Sequence, residues 1–492
     1  MYGAYGHSTD DNDVEKQFEI NGSNQFEEEE SFSLTHEQGF FSNWLDSSFH
    51  ISRRGSTIGR EIRAGTATFL TMSYIVIVNA RVAGGSSGIP NSDVMIGTAL
   101  SSAIASIVCG YFGNLPFALA PGLGLSAYIS VGLTNHASRQ HLISSKHTLV
   151  QEYEEWQTAL AACAIAGVIQ MFMANRLSSY LMKGTPRAVQ VGTVVGMGLL
   201  IAFVALQQIG FVQKAPNTTV AFRASNSTLQ RDGGPLVELG ENAYSLETLL
   251  ACFGLLTVTF LSHHDIQGSV LIAVGLNTLI SIWLLGTNPP EAVFAFPHPQ
   301  KAFLGWDFLH LSLVRHVPVI LAFILVGVFD VAGVLIGLSH VMKIDVNENG
   351  IPNGSAWAFF AAGLGTFIGA MFGSTPVIVH LESAAGLTEG GRTGLSACVC
   401  GIWFLLCLFT GPLLDSVPPC ATSPVLFFVG SLMMGQLATL DWHNPAHSIP
   451  AFTTLTIIPF TFSVPNGVFF GALMSSTFVL FEGIAKKCMK RN

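Results

Sequence analysis

The sequence predicts an all-α protein that crosses a membrane many times. Half of its 492 residues are hydrophobic and only 11% are charged, whereas about a quarter of the residues in a soluble domain are charged. Its 50 glycines and 36 phenylalanines suit close packing of helices in lipid. The apolar residues also gather into stretches of about 20, the length that a helix needs to cross the hydrocarbon core. We therefore expect a lipid bilayer around the protein.

Residues 1–60 are predicted to form a disordered acidic tail on the cytoplasmic side. The first 50 positions hold 11 of the 31 acidic residues, with four glutamates in a row at 27–30. The segment is polar and lacks hydrophobic periodicity, which is typical of disorder. No apolar core follows a basic start, so we expect no cleaved signal peptide. The first transmembrane segment would then direct insertion.

Fourteen apolar segments divide into two sets of seven, in residues 61–290 and 313–485, and a basic tail follows at 486–492. The first set is predicted to begin near Ala64, Asp93, Leu115, Gln157, Gln190, Leu246 and Ile266. The second set is predicted to begin near Arg315, Ala356, Ser374, Thr393, Ser423, Ser448 and Asn466. Because seven is odd, the second set reverses its orientation, and the two sets form an inverted repeat.

The third segment of each set is a poor helix. Residues 115–133 are interrupted at 120–122 and at Gly124, and residues 374–387 are short and contain Pro376 near their start. Matched broken segments in two inverted halves are typical of a transporter site near the membrane midplane. Irregular backbone is tolerated at that depth only where protein or a cavity covers it. A pair of proline kinks in ordinary helices is the alternative interpretation.

Two acids lie in apolar surroundings at the depth of the bilayer. Asp330 lies within an apolar run, and Glu382 lies within the second broken segment. An acid at that depth costs roughly 2.5–3.5 kcal/mol or more, so it usually lines a path for an ion or a substrate. A neutral, hydrogen-bonded structural acid is the alternative for each residue.

The positive charges predict the orientation in the membrane. Three basic clusters fall on one side if there are fourteen segments: Arg53, Arg54, Arg60 and Arg63; Arg176, Lys183 and Arg187; and Lys486, Lys487, Lys490 and Arg491. By the positive-inside rule that side is cytoplasmic. The loop 213–244, with glycosylation sequons at Asn217 and Asn226, then lies outside. We expect a multi-pass plasma-membrane protein with both termini in the cytoplasm.

Five stretches resemble a known family. Residues 65–82, 114–128, 183–212, 329–337 and 382–397 together resemble the AzgA-like purine transporters of the nucleobase–ascorbate transporter group. The most specific stretch is ESAAGLTEGGRTGL, and the resemblance covers about residues 62–484. It implies two inverted seven-span repeats arranged as a core and a gate domain, with short strands in spans three and ten. It also implies a homodimer.

The resemblance further implies proton-coupled uptake of adenine, guanine and hypoxanthine. The substrate-binding residues that we predict are Glu382, Asp330, Ser126, Gly124, Phe329 and His380. A carboxylate can accept two neighbouring N–H donors of a purine, and its charge strengthens those bonds. Buried acids can also take up and release a proton, so Asp330 and Glu382 are predicted to carry the coupling proton. No cofactor other than this proton is expected.

The chain departs from the family pattern at several of these positions. The resemblance leads us to expect an acid where Gly327 stands, asparagine at Ser126, tyrosine at His380 and threonine at Pro376. In an extended segment His380 would share a face with Glu382, because side chains alternate along a strand. Packing roles are the alternatives for His380 and Phe329. These changes leave open a different nucleobase, another small heterocycle or altered coupling.

Other classes of function remain as alternatives. An anion transporter shares the implied architecture, although acids in the site argue against an anion path. A substrate sensor that does not transport is also compatible with the lost polar groups. No nucleophile with an adjacent base and no phosphate-binding loop stands out, so an enzyme or a primary pump is not expected. The eight cysteines include only a Cys398-x-Cys400 spacing without histidines, so we expect no metal. We expect no nucleic-acid partner.

Overall fold

The computed structural model is predominantly helical. It describes residues 40–84, 87–133, 155–174, 185–214, 237–264, 266–287, 289–290, 292–342 and 352–489. Nine helices in these segments are long and apolar enough to cross a membrane. Two shorter apolar helices, Ser269–Leu285 and Ser355–Met371, accompany them. Length and composition therefore support a multi-pass membrane protein.

The first part of the chain contains nine α-helices and three short strands among the described residues. The helices are α1 (Phe40–Phe49), α2 (Ile58–Met72), α3 (Tyr74–Asn79), α4 (Asn91–Gly113), α5 (Leu123–Ala127), α6 (Glu155–Met173), α7 (Arg187–Gln208), α8 (Leu246–His263) and α9 (Ser269–Leu285). The strands are β1 (Leu119–Pro121), β2 (Val212–Lys214) and β3 (Val237–Leu239). Strand β2 pairs antiparallel with β3.

The second part of the chain contains eight α-helices and one short strand among the described residues. Its elements are α10 (Leu313–Met342), α11 (Ser355–Met371), β4 (Val377–Val379), α12 (Ser383–Thr388), α13 (Gly394–Cys407), α14 (Gly411–Asp415), α15 (Pro419–Met433), α16 (Pro445–Thr461) and α17 (Val464–Met489). Helix α10 contains Pro318 and continues through it.

Each predicted segment start lies near an observed helix or near a strand followed by a short helix. The predicted tail is helical over Phe40–Phe49, so disorder does not describe all of residues 1–60. Residues 1–39, with the glutamates at 27–30, lie outside the described residues, as do Asn217 and Asn226.

The helices form two packing groups. Helix α4 packs on α11 and α13, α6 packs on α10 and α11, and α2 packs on α13. We call α2–α6 and α10–α13 the core group, after the domain that the resemblance implies. Helix α7 packs on α15 and α16, α16 on α17, and α8 on α9 and α15. We call α7–α9 and α15–α17 the gate group, and the two groups meet where α5 packs on α7.

Strands β1 and β4 pair antiparallel, with Leu119 opposite Val379 and Pro121 opposite Val377. The pairing continues beyond both ends of the strands. The Gly122 amide donates to the Pro376 carbonyl at 2.9 Å, and the His380 amide donates to the Ala118 carbonyl at 3.2 Å. Unsatisfied backbone groups are costly in lipid, and this ladder satisfies them where neither segment is helical. The short strands predicted for the two broken segments are confirmed.

Two buried acids that the sequence did not single out anchor loops to the core group. Asp93, in the first turn of α4, accepts hydrogen bonds at 2.7 Å from the amides of Gln300, Lys301 and Ala302. Glu61 of α2 accepts from the amides of Arg392 and Thr393 at 2.9 and 3.2 Å. Amide donors of this kind stabilise buried carboxylates, so these acids have structural partners.

We predict that Gly363→Ala destabilises the protein by about 1–2 kcal/mol. A Cβ on Gly363 would lie 2.7 Å from the Met171 nitrogen and 2.8 Å from the Gly167 carbonyl, because α11 crosses α6 with the backbones in contact. Overpacking costs about 1–3 kcal/mol, which exceeds the helix preference of alanine. The measurement is thermal unfolding of detergent-purified protein.

Gly275→Ala is the matched control for this helix-crossing prediction. Gly275 lies within α9, and nothing lies within 4 Å of the Cβ that alanine would add. We expect an unchanged or slightly higher melting temperature. Equal shifts for the two variants would contradict the argument from close helix packing.

Candidate functional site

A cavity of about 280 Å³ lies between the core group and the gate group. Its wall includes the start of α5, one face of α10 and the end of β4 on one side, and residues of α7 and α15 on the other. Most of the wall is apolar. The polar side chains that line it are those of Tyr74, Asp330, His380, Glu382 and Gln436. A small, largely apolar cavity with a few polar groups is typical of a ligand site.

Glu382 lies where β4 ends and α12 begins. The Tyr74 hydroxyl donates a hydrogen bond of 2.8 Å to Glu382 Oε1. The other oxygen, Oε2, lies 3.3 Å from His380 Nδ1. The Glu382 side chain is 23% exposed, so part of the carboxylate faces the cavity.

His380 links this carboxylate to the backbone of β1. Its ring is buried, and Nε2 lies 3.2 Å from the Ala120 carbonyl oxygen and 3.3 Å from that of Pro121. Carbonyl oxygens only accept hydrogen bonds. Nε2 is therefore the protonated nitrogen in this arrangement, and Nδ1 faces Glu382.

Asp330 and Phe329 enter the cavity wall from α10. Asp330 is 8% exposed and Phe329 is 4% exposed. Among the described residues, the Asp330 carboxylate has no hydrogen-bond partner, in contrast to Glu382. Asp330 thus presents a carboxylate to the cavity, and Phe329 presents an aromatic ring.

Gly124 lines the cavity where α5 of the core group packs on α7 of the gate group. A Cβ at this position would lie 2.8 Å from the Met197 Cβ on α7. A larger residue would push α5 away from α7. Gly124 therefore permits close approach of the core and gate groups, and it contributes no polar side-chain atom.

Ser126 lies outside the cavity wall, in a fully buried polar network. Its hydroxyl donates to Asn79 Oδ1 and lies 2.8 Å from the Thr375 hydroxyl. The Asn79 amide donates to Thr98 Oγ1 at 2.8 Å and to Ser374 Oγ at 3.1 Å. The network joins α3, α4 and α5 to the segment before β4, so the Ser126 hydroxyl is engaged in holding these elements together.

Gly327 also lies away from the cavity, near α6. A Cβ on Gly327 would lie 3.2 Å from Gln170 Oε1. The Gln170 Nε2 is buried, and the described residues offer it no hydrogen-bond partner. An acidic side chain at position 327 would therefore meet the Gln170 carboxamide before it reached the cavity.

The sequence argument missed two polar residues of the cavity. Tyr74 lies within a stretch that carries the resemblance, but an apolar helix gives no sign that one tyrosine faces an acid on a distant segment. Gln436 follows α15 in a 3₁₀-helical stretch, Met434–Thr439. Its position in the sequence gives no sign of a role in the cavity. Only the tertiary structure places its side chain in the cavity wall.

Membrane transporters of known structure share this fold. The chain superposes on the transmembrane domain of the cyanobacterial bicarbonate transporter BicA with a TM-score of 0.58 and 16% identity, covering 85% of this chain and 97% of that one. It superposes on SLC26A9 with a TM-score of 0.62 and 13% identity, covering 91% and 70% respectively. At such low identity the likeness concerns the fold.

The sequence comparison identifies the family of the chain. Residues 59–470 match the permease family (Xan_ur_permease), and the chain belongs to that family. The adenine permease AdeQ of Escherichia coli K12 is 31% identical, over 87% of this chain and 89% of its own length. The guanine/hypoxanthine permease PbuO of Bacillus subtilis 168 is 31% identical, over 86% and 92%. The efflux pump NotK′ of Aspergillus versicolor is 28% identical, over 89% and 81%. Family and relatives are permeases or pumps by name, not enzymes.

We predict that Ser126→Ala destabilises the folded protein by about 1–3 kcal/mol, because it leaves buried polar partners without a hydrogen bond. The loss falls on Asn79 Oδ1, whose remaining partner is the Thr375 hydroxyl at 3.3 Å. Thermal unfolding of purified protein measures the change. Ser476→Ala is the control, because the exposed Ser476 hydroxyl donates only to the Ala472 carbonyl of its own helix. A smaller effect at Ser126 than at Ser476 would contradict the prediction.

Proposed function

We propose that this protein is a secondary active transporter for the uptake of purine nucleobases (adenine, guanine and hypoxanthine) together with protons across the plasma membrane. The observation that carries the proposal is the Glu382 carboxylate, which faces a small cavity between two helix groups. The relatives named as adenine and guanine/hypoxanthine permeases support purines as the substrate class.

The cavity offers the contacts that a planar heterocycle needs. Ligand cavities usually measure about 300–1,000 Å³, so a volume of about 280 Å³ suits a small ligand. Ring N–H and exocyclic amine groups of a purine would donate to Glu382, whose charge strengthens those bonds. The Phe329 ring and the apolar walls would contact the faces of the base. On the gate side, Gln436 would bind a second edge.

Movement of the core group against the gate group would expose the cavity alternately to the two sides of the membrane. Ligand sites of transporters commonly lie at such an interface, with one bundle rocking against the other. At Gly124 and Met197, α5 meets α7 through a close apolar contact, which suits sliding. We propose that Asp330 and Glu382 take part in proton coupling. We also propose that transport needs no cofactor other than the proton.

The finer topology belongs to the same proposal. Fourteen membrane spans in two inverted repeats would place both termini in the cytoplasm, and the family resemblance suggests a homodimer. Uptake is proposed as the direction because an inward proton gradient would drive it. One relative is named as an efflux pump, so the direction of transport has to be measured. A bicarbonate transporter shares the fold, but two carboxylates in the cavity disfavour an anion as the substrate.

The test is uptake of radiolabelled bases by cells that lack their own purine uptake. Adenine, guanine, hypoxanthine, xanthine and uracil are compared at two external pH values, with and without a protonophore, and bicarbonate serves as the anion probe. Saturable purine uptake that falls when the protonophore is added supports the proposal. Surface expression without uptake of any base would refute it, and uptake insensitive to the protonophore would remove proton coupling.

In this assay Glu382→Gln is expected to lower purine uptake roughly 10- to 100-fold. The change replaces a charged acceptor by a neutral amide, and hydrogen bonds to charged groups contribute about 1.5–3 kcal/mol. Glu247→Gln, the same change at an exposed site in the first turn of α8, is the control and should transport normally. Wild-type uptake by the Glu382 variant at equal surface expression would exclude this carboxylate from the site.

Gln436→Ala is expected to raise KM for purines several-fold while kcat changes little. Among the described residues the Gln436 carboxamide has no hydrogen-bond partner, so it is free to bind substrate. A neutral hydrogen bond contributes about 0.5–1.5 kcal/mol. Because a carboxamide both donates and accepts, the loss should differ between adenine and hypoxanthine. Gln207→Ala, an exposed position of α7, is the control. Equal KM values for wild type and the Gln436 variant would place this residue outside the binding site.

A further inference from the structure

Both ring nitrogens of His380 face oxygen atoms that accept hydrogen bonds. Nε2 lies within 3.3 Å of the carbonyl oxygens of Ala120 and Pro121, and Nδ1 lies 3.3 Å from Glu382 Oε2. The carbonyl oxygens cannot donate, so the hydrogen on Nε2 is fixed by the strand. The proton that can be gained or lost is then the one between Nδ1 and Glu382 Oε2.

Only two arrangements satisfy the contact between Nδ1 and Oε2. Either the imidazole is fully protonated and donates to an ionised Glu382, or a protonated Glu382 donates to a neutral imidazole. Both contain one proton more than a neutral imidazole beside a carboxylate, in which two lone pairs would face each other. The pair His380–Glu382 is therefore built to hold one exchangeable proton.

The surroundings favour the arrangement with the proton on His380. The Tyr74 hydroxyl donates to Glu382 Oε1 at 2.8 Å, which stabilises the ionised carboxylate. Asp330 lines the same cavity from α10, and β1 presents only carbonyl oxygens to the ring. From the gate group the polar side chain in the cavity wall is the uncharged Gln436. The titratable groups that share the cavity with His380 are thus Tyr74, Asp330 and Glu382, and none of them brings a positive charge.

We propose that His380 carries the coupling proton as an imidazolium and keeps Glu382 ionised as the acceptor for the base. This inference rests on the proposed function. The proton enters from one side of the membrane onto Nδ1 and leaves from Nδ1 to the other side, and the base is unchanged. The positive charge of the imidazolium balances the negative charge of the Glu382 carboxylate that accepts hydrogen bonds from the base. Binding of the base and binding of the proton therefore depend on each other. The tyrosine that the resemblance leads us to expect at position 380 would not carry such a proton.

The test compares wild type with His380→Gln and His380→Tyr in proteoliposomes that contain a pH-sensitive dye. Labelled hypoxanthine influx and proton influx are measured together at two pH values on either side of the range in which histidine titrates. Wild type is expected to take up several-fold more base at the lower pH and to acidify the lumen. In the variants we expect residual base influx down its gradient, with at least a five-fold smaller proton flux per base and little dependence on pH.

His316→Gln is the matched control, because His316 is as buried as His380 but lies at the start of α10, outside the cavity wall. It should retain the wild-type pH dependence. The two substitutions at His380 change side-chain size in opposite directions, so either one that inserts correctly decides the question. Wild-type proton flux and pH dependence in such a variant would overturn this inference alone. Absence of base uptake by wild type would overturn the proposed function and this inference with it.

Discussion

The rest of this structure depends on the need to satisfy backbone hydrogen bonds inside a membrane. The chain is non-helical at 114–122 and again at 372–382, where prolines and glycines prevent a continuous helix. In lipid each unpaired amide or carbonyl group is costly. The pairing of Leu119–Pro121 with Val377–Val379 solves this problem for both segments at once. It also fixes the two broken segments relative to each other, although more than 250 residues separate them in the chain.

The same strand pair builds the candidate site. The end of β4 carries His380 to the carbonyl oxygens of Ala120 and Pro121, and Glu382 follows two residues later. The strand that supplies backbone pairing therefore also supplies acceptors for the histidine ring. Helix α3 adds the Tyr74 hydroxyl, and α10 adds Asp330. The same few residues provide the backbone pairing and the contacts of the His380 ring. A substitution in either strand would therefore alter both.

The structure shows what surrounds each position at which the chain departs from the family pattern. At Gly327 the space beside α10 is bordered by the Gln170 carboxamide, and at Ser126 the hydroxyl joins Asn79 in a buried network. Neither position contributes a polar group to the cavity wall. At His380, by contrast, a titratable ring stands beside the carboxylate. The polar side chains of the cavity wall are thereby those of Tyr74, Asp330, His380, Glu382 and Gln436.

The sequence by itself determined that this is a membrane protein, the approximate positions of its helices along the chain, the two broken segments and five of the residues that line the cavity. These features follow from hydropathy, proline and glycine placement, and isolated acids, all of which act locally along the chain. Only the tertiary structure decided that Ser126 turns into a buried network, that Tyr74 donates to Glu382 and that Gln436 faces the cavity from the gate group. Those contacts join segments up to several hundred residues apart. A side chain on an apolar helix has several faces it can present, and the packing of distant helices selects one of them.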